Sequence, residues 1–344
     1  MRNQLLHPGK LLDDQGYLTE TGYATSLVKE YSRADIKAGN LKIKEWDYYL
    51  IYNEHYGVAL TYADNSYMGL ISASVIDFKN KKEKTTSVMA FMPRGKSDMP
   101  NTTDQGNITF ENKRVRVLFD NDGRRRHLHF VMKQFDGEQD FYADFVLTRP
   151  ANSDQIVVAT PFEQKKTAFY YNTKIIGMNA TGHAAVGNHI YSFHEDSQAL
   201  LDWGRGVWTY KNTWYWSAAY GKVNGRRVGF NLGYGFGDTS KATENAIFYD
   251  GKLHKLDDVT FHIPADEKGV LMYEQPWTFT SSNHRFEAVF TPIIDRATCT
   301  NLGMICSDQH QVFGRFTGTL VLDDGAEVKL NHFLGFAEKV FNRW

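Results

Sequence analysis

The chain has 344 residues, with 39 Lys and Arg against 40 Asp and Glu, and a net charge of -1. This length predicts about two domains and a large apolar core, while the balanced charge gives no electrostatic argument for nucleic acid or acidic lipid as a partner. Aromatic residues make up 14% of the chain, beside 28 Gly and only 8 Pro, which favours twisted β-sheet over helical bundles.

The predicted elements begin with an N-terminal segment, residues 1–36. It lacks the apolar region of a secretory signal, and we therefore expect a cytoplasmic protein. No stretch stays apolar for the roughly 20 residues that a membrane-spanning helix needs. Helical periodicity is scarce, and it predicts two short helices, Ala24–Arg33 and Phe336–Arg343.

Turn signals dominate the rest of the chain. Asn-Gly and Asp-Gly pairs favour type I′ hairpins because both positions tolerate a positive φ. Such pairs stand at Asp122-Gly123, Asp136-Gly137, Asn224-Gly225, Asp250-Gly251 and Asp324-Gly325. Apolar and polar residues alternate around them, which predicts an all-β protein with antiparallel sandwiches or barrels. We place a seam near residue 180, giving two domains, residues 37–180 and 181–344.

Several features that could suggest other functions have simpler explanations. The basic runs at 79–84 and 124–126 are typical of solvated hairpin tips. His127 and His129 share a strand face, but no carboxylate motif accompanies them. Cys299 and Cys306 match no common zinc spacing, and we expect two free thiols. The sequence predicts neither a metal nor a cofactor.

The most informative stretch runs from Leu200 to Val259. With Asn224-Gly225 as a two-residue loop, the hairpin pairs Trp216 with Gly233, Trp214 with Gly235, Ala218 with Asn231 and Tyr220 with Gly229. One interpretation is that the aromatic rings cover the glycines and recover packing. In the other, the glycines leave room for a bulky ligand with Trp214 and Trp216 as walls, and Asn231 supplies a polar contact.

Two carboxylates in this stretch could transfer protons. Asp202 and Arg205 are three residues apart, with glycines flanking the arginine. They predict either an ion pair that locks a sharp turn or an ionised carboxylate suited to act as a base. Glu244 could supply the protonated acid if it is buried among the tryptophans. Asp238 is equally well explained as a site residue or as a loop residue whose side chain hydrogen-bonds to nearby backbone.

The chain resembles a known family of bacterial proteins, domain-of-unknown-function family 2804. The matching segments are 202–208, 231–238, 243–245, 254–257, 160–162, 170–175, 310–318 and 335–338. The family is similar to a wider group that contains carotenoid 1,2-hydratases, tocopherol cyclase and fungal survival-factor proteins. The resemblance implies two lipocalin-like β-barrels with a ligand site at or between them. It also implies hydrophobic ligands. For those members of the wider group that are enzymes, it implies protonation of a C=C bond without a cofactor. The hydratase catalytic residues do not map onto this chain one by one.

These observations define one candidate site and two leading functions. We expect Asp202, Glu244 and Arg205 to be catalytic. We expect the ligand contacts to be Trp203, Trp208, Trp214, Trp216, Asn231, Asp238 and Asn245. The first function is binding of a hydrophobic or lipid-like small molecule in an aromatic-lined barrel. The alternative is a cofactor-independent hydratase, cyclase or isomerase that uses carboxylate proton transfer, with a glycan-acting enzyme as a third possibility.

Overall fold

The computed structural model describes residues 3–302 and 305–343, and most of these residues are in β-strands. The strands form two large curled antiparallel sheets and a separate two-stranded ribbon. The predicted all-β class with two lipocalin-like barrels is therefore confirmed. Within the described ranges, the helical elements are two 3-10 turns, Arg33–Asp35 and Asn40–Lys42.

The first sheet holds β2 and all strands from β4 to β15. Their bounds are β2 Gly22–Ala24, β4 Ile43–Tyr52, β5 Tyr56–Asp64, β6 Met68–Asp77, β7 Lys82–Phe91, β8 Ile108–Glu111, β9 Val115–Asn121, β10 Arg125–Asp136, β11 Gln139–Thr148, β12 Ile156–Pro161, β13 Phe169–Val186, β14 His189–Phe193 and β15 Gln198–Val207. The main path is β7-β6-β5-β4-β15-β13-β11-β10-β9-β8. The ribbon pairs β1 (Gly9–Lys10) with β3 (Lys29–Glu30).

The second sheet follows directly in the chain. Its strands are β16 Lys211–Val223, β17 Arg226–Tyr234, β18 Ala246–Tyr249, β19 Lys252–Lys255, β20 Val259–His262, β21 Trp277–Ser281, β22 Phe286–Leu302, β23 Ile305–Val321 and β24 Glu327–Arg343. They are ordered β19-β18-β17-β16-β24-β23-β22-β21-β20. The chain passes from one sheet to the other between Val207 and Lys211, whereas residue 180 lies inside β13.

Both predicted helices are wrong. Phe336–Arg343 is the end of β24, and the stretch Ala24–Arg33 contains the last residue of β2 and the whole of β3. In β24, Ala337 packs inside the second barrel while Phe336 packs toward the first sheet. Because both faces of the strand are covered, apolar residues occur on both, and the two-residue alternation that marks a half-exposed strand is lost.

The apolar residues form three clusters. One fills the first barrel and a second fills the other barrel, where Phe230, Phe286 and Phe316 are fully buried and in ring contact. The third cluster lies between the two sheets and draws on both, for example Tyr48 from β4 and Trp216 from β16. The outer faces of the two sheets therefore pack against each other and form a junction.

The hairpin at Asn224-Gly225 has the predicted register. Trp216 pairs with Gly233, Ala218 with Asn231 and Tyr220 with Gly229. The predicted pair of Trp214 with Gly235 lies beyond the ladder, which ends at Tyr215 and Tyr234. Gly235 has a φ of 90°, a left-handed conformation that suits glycine and turns the chain out of the strand.

Candidate functional site

Polar side chains from both sheets meet at this junction in two facing rows. On the first sheet Lys174, Asp202 and Tyr48 are cross-strand neighbours on β13, β15 and β4. Side chains of directly paired residues share a sheet face. The facing row on the second sheet is Gly233, Trp216, Glu338, Gln311 and Arg296, on β17, β16, β24, β23 and β22.

Lys174 lies at the centre of the charges. Its Nζ is 2.7 Å from Oδ1 of Asp202 and 3.8 Å from Oε2 of Glu244. The same ammonium lies 4.3 Å from the centre of the Trp216 ring and donates to the Tyr170 hydroxyl at 3.4 Å. Its side chain is only 3% exposed. The structure thus brings the two predicted carboxylates, Asp202 and Glu244, together around one buried cation.

Asp202 is held by further donors from the first sheet. Nδ2 of Asn172 donates to Oδ1 at 2.6 Å, and Nε1 of Trp46 donates to Oδ2 at 3.1 Å. With Lys174, three donors converge on this carboxylate, so its position is fixed.

Glu244 comes from the loop between β17 and β18, residues 235–245. Nδ2 of Asn231 donates to its Oε2 at 3.1 Å and to its backbone oxygen at 2.9 Å, while Trp216 Nε1 donates to Oδ1 of Asn231 at 2.8 Å. A Cβ added to Gly233 would collide with the Glu244 carboxyl. The space above this glycine is therefore filled by a carboxylate, and the interpretation that an indole covers it is wrong.

Glu338 on β24 is the third carboxyl of the junction. Trp214 Nε1 donates to Oε1 and Gln311 Nε2 to Oε2, both at 3.0 Å. Burial raises the pKa of Glu338 to about 7, with a further contribution from the Asp202 charge, although the Trp214 hydrogen bond and nearby cations oppose the shift. Near neutral pH this group exists in both forms, so it can donate a proton and take one back.

Two tyrosines complete the polar contacts. The Tyr48 hydroxyl donates to Oε1 of Gln311 at 3.1 Å and so connects the first sheet to the Glu338 side of the second. Burial raises the pKa of Tyr48 and of Tyr170, whose hydroxyls therefore stay neutral at ordinary pH.

An aromatic cluster borders the charges and is centred on Phe236 of the 235–245 loop. Its members are Trp46, Phe162, Tyr170, Trp208, Trp214 and Phe236, with ring centres 4.8 to 5.8 Å apart in each contacting pair. Its polar edges point to the charged groups, because Trp46 bonds Asp202 and Trp214 bonds Glu338. The junction therefore combines buried titratable groups with an apolar wall.

Two predicted site residues, Arg205 and Trp203, lie away from the junction, inside the first barrel. Arg205 is fully buried there, with Nη1 3.0 Å from Oδ1 of Asp47 and its guanidinium carbon 4.1 Å from the Trp203 ring centre. The predicted Asp202–Arg205 ion pair and sharp turn are wrong, because both residues lie in the extended strand β15. Residues three apart on a strand point to opposite faces.

Asp238 and Asn245 shape the loop that carries Glu244. Oδ1 of Asp238 accepts from the backbone of Ser240 at 2.9 Å. Asn245 is buried; its Oδ1 accepts from the backbone N–H of Gly233 and its Nδ2 donates to the backbone oxygen of Asp257, both at 2.7 Å. Neither contacts the three carboxyls, so direct ligand contact by these two residues stays a prediction.

Several residues of the junction were missed by the sequence reasoning: Trp46, Tyr48, Tyr170, Asn172, Lys174, Phe236, Arg296, Gln311 and Glu338. One signal was present, because Asn172 and Lys174 lie two residues apart in the buried first half of β13. Polar residues at alternate positions of a buried strand indicate a polar feature on one of its faces. No such signal marks Glu338, because the sequence predicts a helix for its segment and the structure has a strand there.

Among the residues that the structure describes, no group of three or more His, Cys, Asp or Glu side chains is arranged to hold a metal ion. Within the same ranges, no helix has the length and hydropathy needed to cross a bilayer.

Solved structures with the same fold were found. A putative AttH (NE1406) from Nitrosomonas europaea aligns with a TM-score of 0.55 and 14% identity, covering 90% of this chain and 96% of that one. Kievitone hydratase from Nectria haematococca aligns with a TM-score of 0.52 and 10% identity over 98% of both chains. At such identities the likeness shows the fold alone. No curated protein matches the chain.

A family model covers nearly the whole sequence. The family described as Domain of unknown function (DUF2804) matches residues 2–344, which confirms the resemblance of the 202–208 and 231–238 segments. The chain belongs to the DUF2804 family.

Proposed function

We propose that this protein is a cofactor-independent acid–base enzyme, a hydratase, cyclase or isomerase that protonates a C=C bond of an apolar small molecule between the two barrels. The observation that carries the proposal is Glu338, a carboxyl with a pKa of about 7 beside aromatic rings and the Lys174 charge group. The shared fold with a protein named kievitone hydratase makes water addition the first reaction to test.

Glu338 is the proton donor in this proposal. Its O–H bond breaks, a C–H bond forms on the substrate, and the adjacent carbon becomes cationic. The carboxylate left behind accepts from Trp214 and Gln311, whose donors are already in place. The π-faces of Trp214 and Trp216 stabilise the cationic carbon.

Asp202 and Glu244 form the basic side of the site. A water molecule or a substrate hydroxyl attacks the cation, and one of these carboxylates takes its proton; loss of a neighbouring C–H proton instead gives an isomer. Lys174 contacts both carboxylates and balances part of their charge. Proton exchange with solvent then restores Glu338 and the base.

The 235–245 loop controls access to these groups in the proposal. It carries Phe236 over the aromatic cluster and Glu244 over Gly233. Gly235 and Gly237 have φ values of 90° and 76°, which only glycine adopts without strain. A substrate reaches the charges when this loop moves outward.

The test is isotope incorporation from solvent. The protein is incubated in D2O, and separately in H2-18O, with polyenes, prenylated phenols and α,β-unsaturated ketones, and products are examined by mass spectrometry. We expect carbon-bound deuterium with at least one compound class. Glu338→Gln should lower the rate about 100-fold or more, whereas Glu327→Gln, an exposed position on the same strand, should not. Full activity of Glu338→Gln rejects the proposed acid.

The aromatic cluster supports a second candidate, a protein that only binds a hydrophobic small molecule or lipid. It supplies apolar contact area that needs no chemistry. Native mass spectrometry of gently purified protein should then show an apolar adduct, retained equally by Glu338→Gln. Isotope incorporation that depends on Glu338 would exclude a purely binding role.

A further inference from the structure

Arg296 closes one end of the second-sheet row and is not used by the proposed proton transfer. Its Nη1 donates to the hydroxyl of Ser74 at 2.7 Å, and its guanidinium carbon lies 5.9 Å from the Tyr48 ring centre. In the part of the chain that the structure describes, it makes no salt bridge with a carboxylate. A partly buried arginine without a directly bonded carboxylate is uncommon, because desolvating its charge is unfavourable. Glu338, on the other side of Gln311, is a counter-charge at longer range, and the arginine lowers the pKa of Glu338 through space.

The hydroxyl that Arg296 contacts, Ser74, belongs to a set of hydroxyl side chains on the first sheet. The Lys174–Asp202–Tyr48 row continues into Thr61, Ser72 and Ser87 on β5, β6 and β7. Ser74 and Thr85 form a second pair whose oxygens lie 2.8 Å apart. We call these five residues the hydroxyl strip: Thr61, Ser72, Ser74, Thr85 and Ser87.

The hydroxyl strip leads from the interior of the junction to solvent. Ser72 and Ser74 are buried, Thr85 is partly buried and Ser87 is exposed. At its outer side the Thr85 hydroxyl donates to Oε2 of Glu83 at 2.9 Å, so this carboxylate is linked to Arg296 only through the hydroxyls of Thr85 and Ser74. This arrangement suits a polar group that stays close to water while the rest of a molecule is buried.

The chemistry of the arginine narrows the class of that group. A guanidinium has five N–H donors in a planar fork that matches the two oxygens of a carboxylate. In the described residues one of these donors goes to Ser74. Hydroxyls beside the fork can donate to the remaining lone pairs of a bound oxyanion.

We propose that Arg296 and the hydroxyl strip bind the carboxylate head of an amphipathic acid whose apolar body extends toward the aromatic cluster. This rests on the proposed function only in placing the ligand at the junction. The Arg296 proposal specifies the substrate class further: a carboxylic acid with an unsaturated apolar chain or ring, rather than an uncharged hydrocarbon.

The test compares two saturated probes, decanoate and 1-decanol, by tryptophan fluorescence titration below their aggregation concentrations. Wild type should bind decanoate at least tenfold more tightly than decanol. Arg296→Gln should lose that preference, while Arg296→Lys should keep part of it through its charge. Arg226→Gln, an exposed arginine paired with Asp250, is the control and should keep the full preference.

Three results would overturn the proposal: no binding of decanoate by wild type, equal affinity for both probes in wild type, or an unchanged preference in Arg296→Gln. The two probes are compared within each variant. A general loss of folded protein therefore lowers the fluorescence change for both probes and leaves the ratio of their affinities unchanged. Neither probe has a C=C bond, so the result is independent of turnover by Glu338. The head-group site and the acid can therefore fail separately.

Discussion

Two groups of buried charges lie on opposite faces of strand β15. On the face inside the first barrel, Arg205 is bonded to Asp47 and to the backbone oxygens of Trp46, Gly204 and Pro100. Its partners are fixed by the sheet and by a packed barrel. Charge and geometry are matched there, which is the usual condition for burying an ion pair.

The face toward the second barrel is arranged differently. Lys174 contacts two carboxylates, Asp202 and Glu244, and Glu338 is a third carboxyl with a pKa near 7. One of these carboxylates comes from a loop, and the acids outnumber the lysine. Burial raises the pKa of Asp47 on the first face as well, and structural ion-pair networks can also perturb pKa values. The contrast is therefore the excess of carboxyls and the loop position of Glu244, from which we propose stability for one face of the strand and chemistry for the other.

The largest expected effect on stability comes from breaking the Arg205–Asp47 ion pair inside the first barrel. Arg205→Gln leaves Asp47 buried without its cation, and we expect a loss of about 3–5 kcal/mol in the free energy of unfolding, measured by urea denaturation. Arg226→Gln on the surface should change it by less than about 0.5 kcal/mol. A small loss for Arg205→Gln would mean that the two faces do not differ as described.

Next in size is the pH dependence of stability due to Glu338. Its pKa is raised from 4.5 to about 7 in the folded state, so its contribution is fully present below pH 4.5 and is lost as pH rises through 7. Relative to Glu338→Gln, wild type should therefore lose up to about 3 kcal/mol between pH 4.5 and pH 8. Urea denaturation of both proteins across this range measures the difference.

The matched control for this pH dependence is Glu327→Gln, at an exposed position of the same strand. Its stability should follow that of wild type at every pH. A difference between wild type and Glu338→Gln that stays flat from pH 5 to pH 8 would contradict the raised pKa.

A smaller effect tests whether Glu244 fills the space above Gly233. Gly233→Ala pushes the carboxyl away from Lys174 and Asn231, and we expect a loss of about 1–3 kcal/mol. In a Glu244→Ala background the added methyl meets no carboxyl, so the same change should have little effect. Equal losses in both backgrounds would show that Glu244 does not occupy this position.

The smallest effect concerns the link between the two sheets. Tyr48→Phe removes the hydroxyl that donates to Gln311, and we expect a loss of about 1 kcal/mol in unfolding free energy. Combining it with Gln311→Ala should add almost nothing, because the two changes remove the same interaction. Fully additive losses would show that the hydrogen bond does not contribute.

The fold class followed from the sequence, since turn pairs and two-residue alternation are local signals. The register of the Asn224-Gly225 hairpin was also predictable, because a two-residue loop fixes which residues pair, as Trp216 and Gly233 do. The strand at the end of β24 was not predictable, because a strand covered on both faces has no alternation of apolar and polar residues to detect.

The candidate site was only partly predictable. Asp202 and Glu244 stood out by their surroundings in the sequence, but the cation between them, Lys174, comes from a distant strand. Proximity in the sequence predicts that Arg205 and Asp202 belong to one group, but on a strand residues three apart point to opposite faces. Glu338 and Arg296 enter the site only through the packing of one sheet against the other, which no local pattern encodes.

The most direct test of the acid–base proposal is the titration of Glu338 itself. Carbon-13 NMR of side-chain carboxyl resonances, with Glu338→Gln used to assign the signal, follows its protonation as the pH changes. We predict a midpoint near pH 7. A midpoint below pH 5 would contradict the account, because Glu338 would then be ionised at neutral pH and unable to serve as the proton donor.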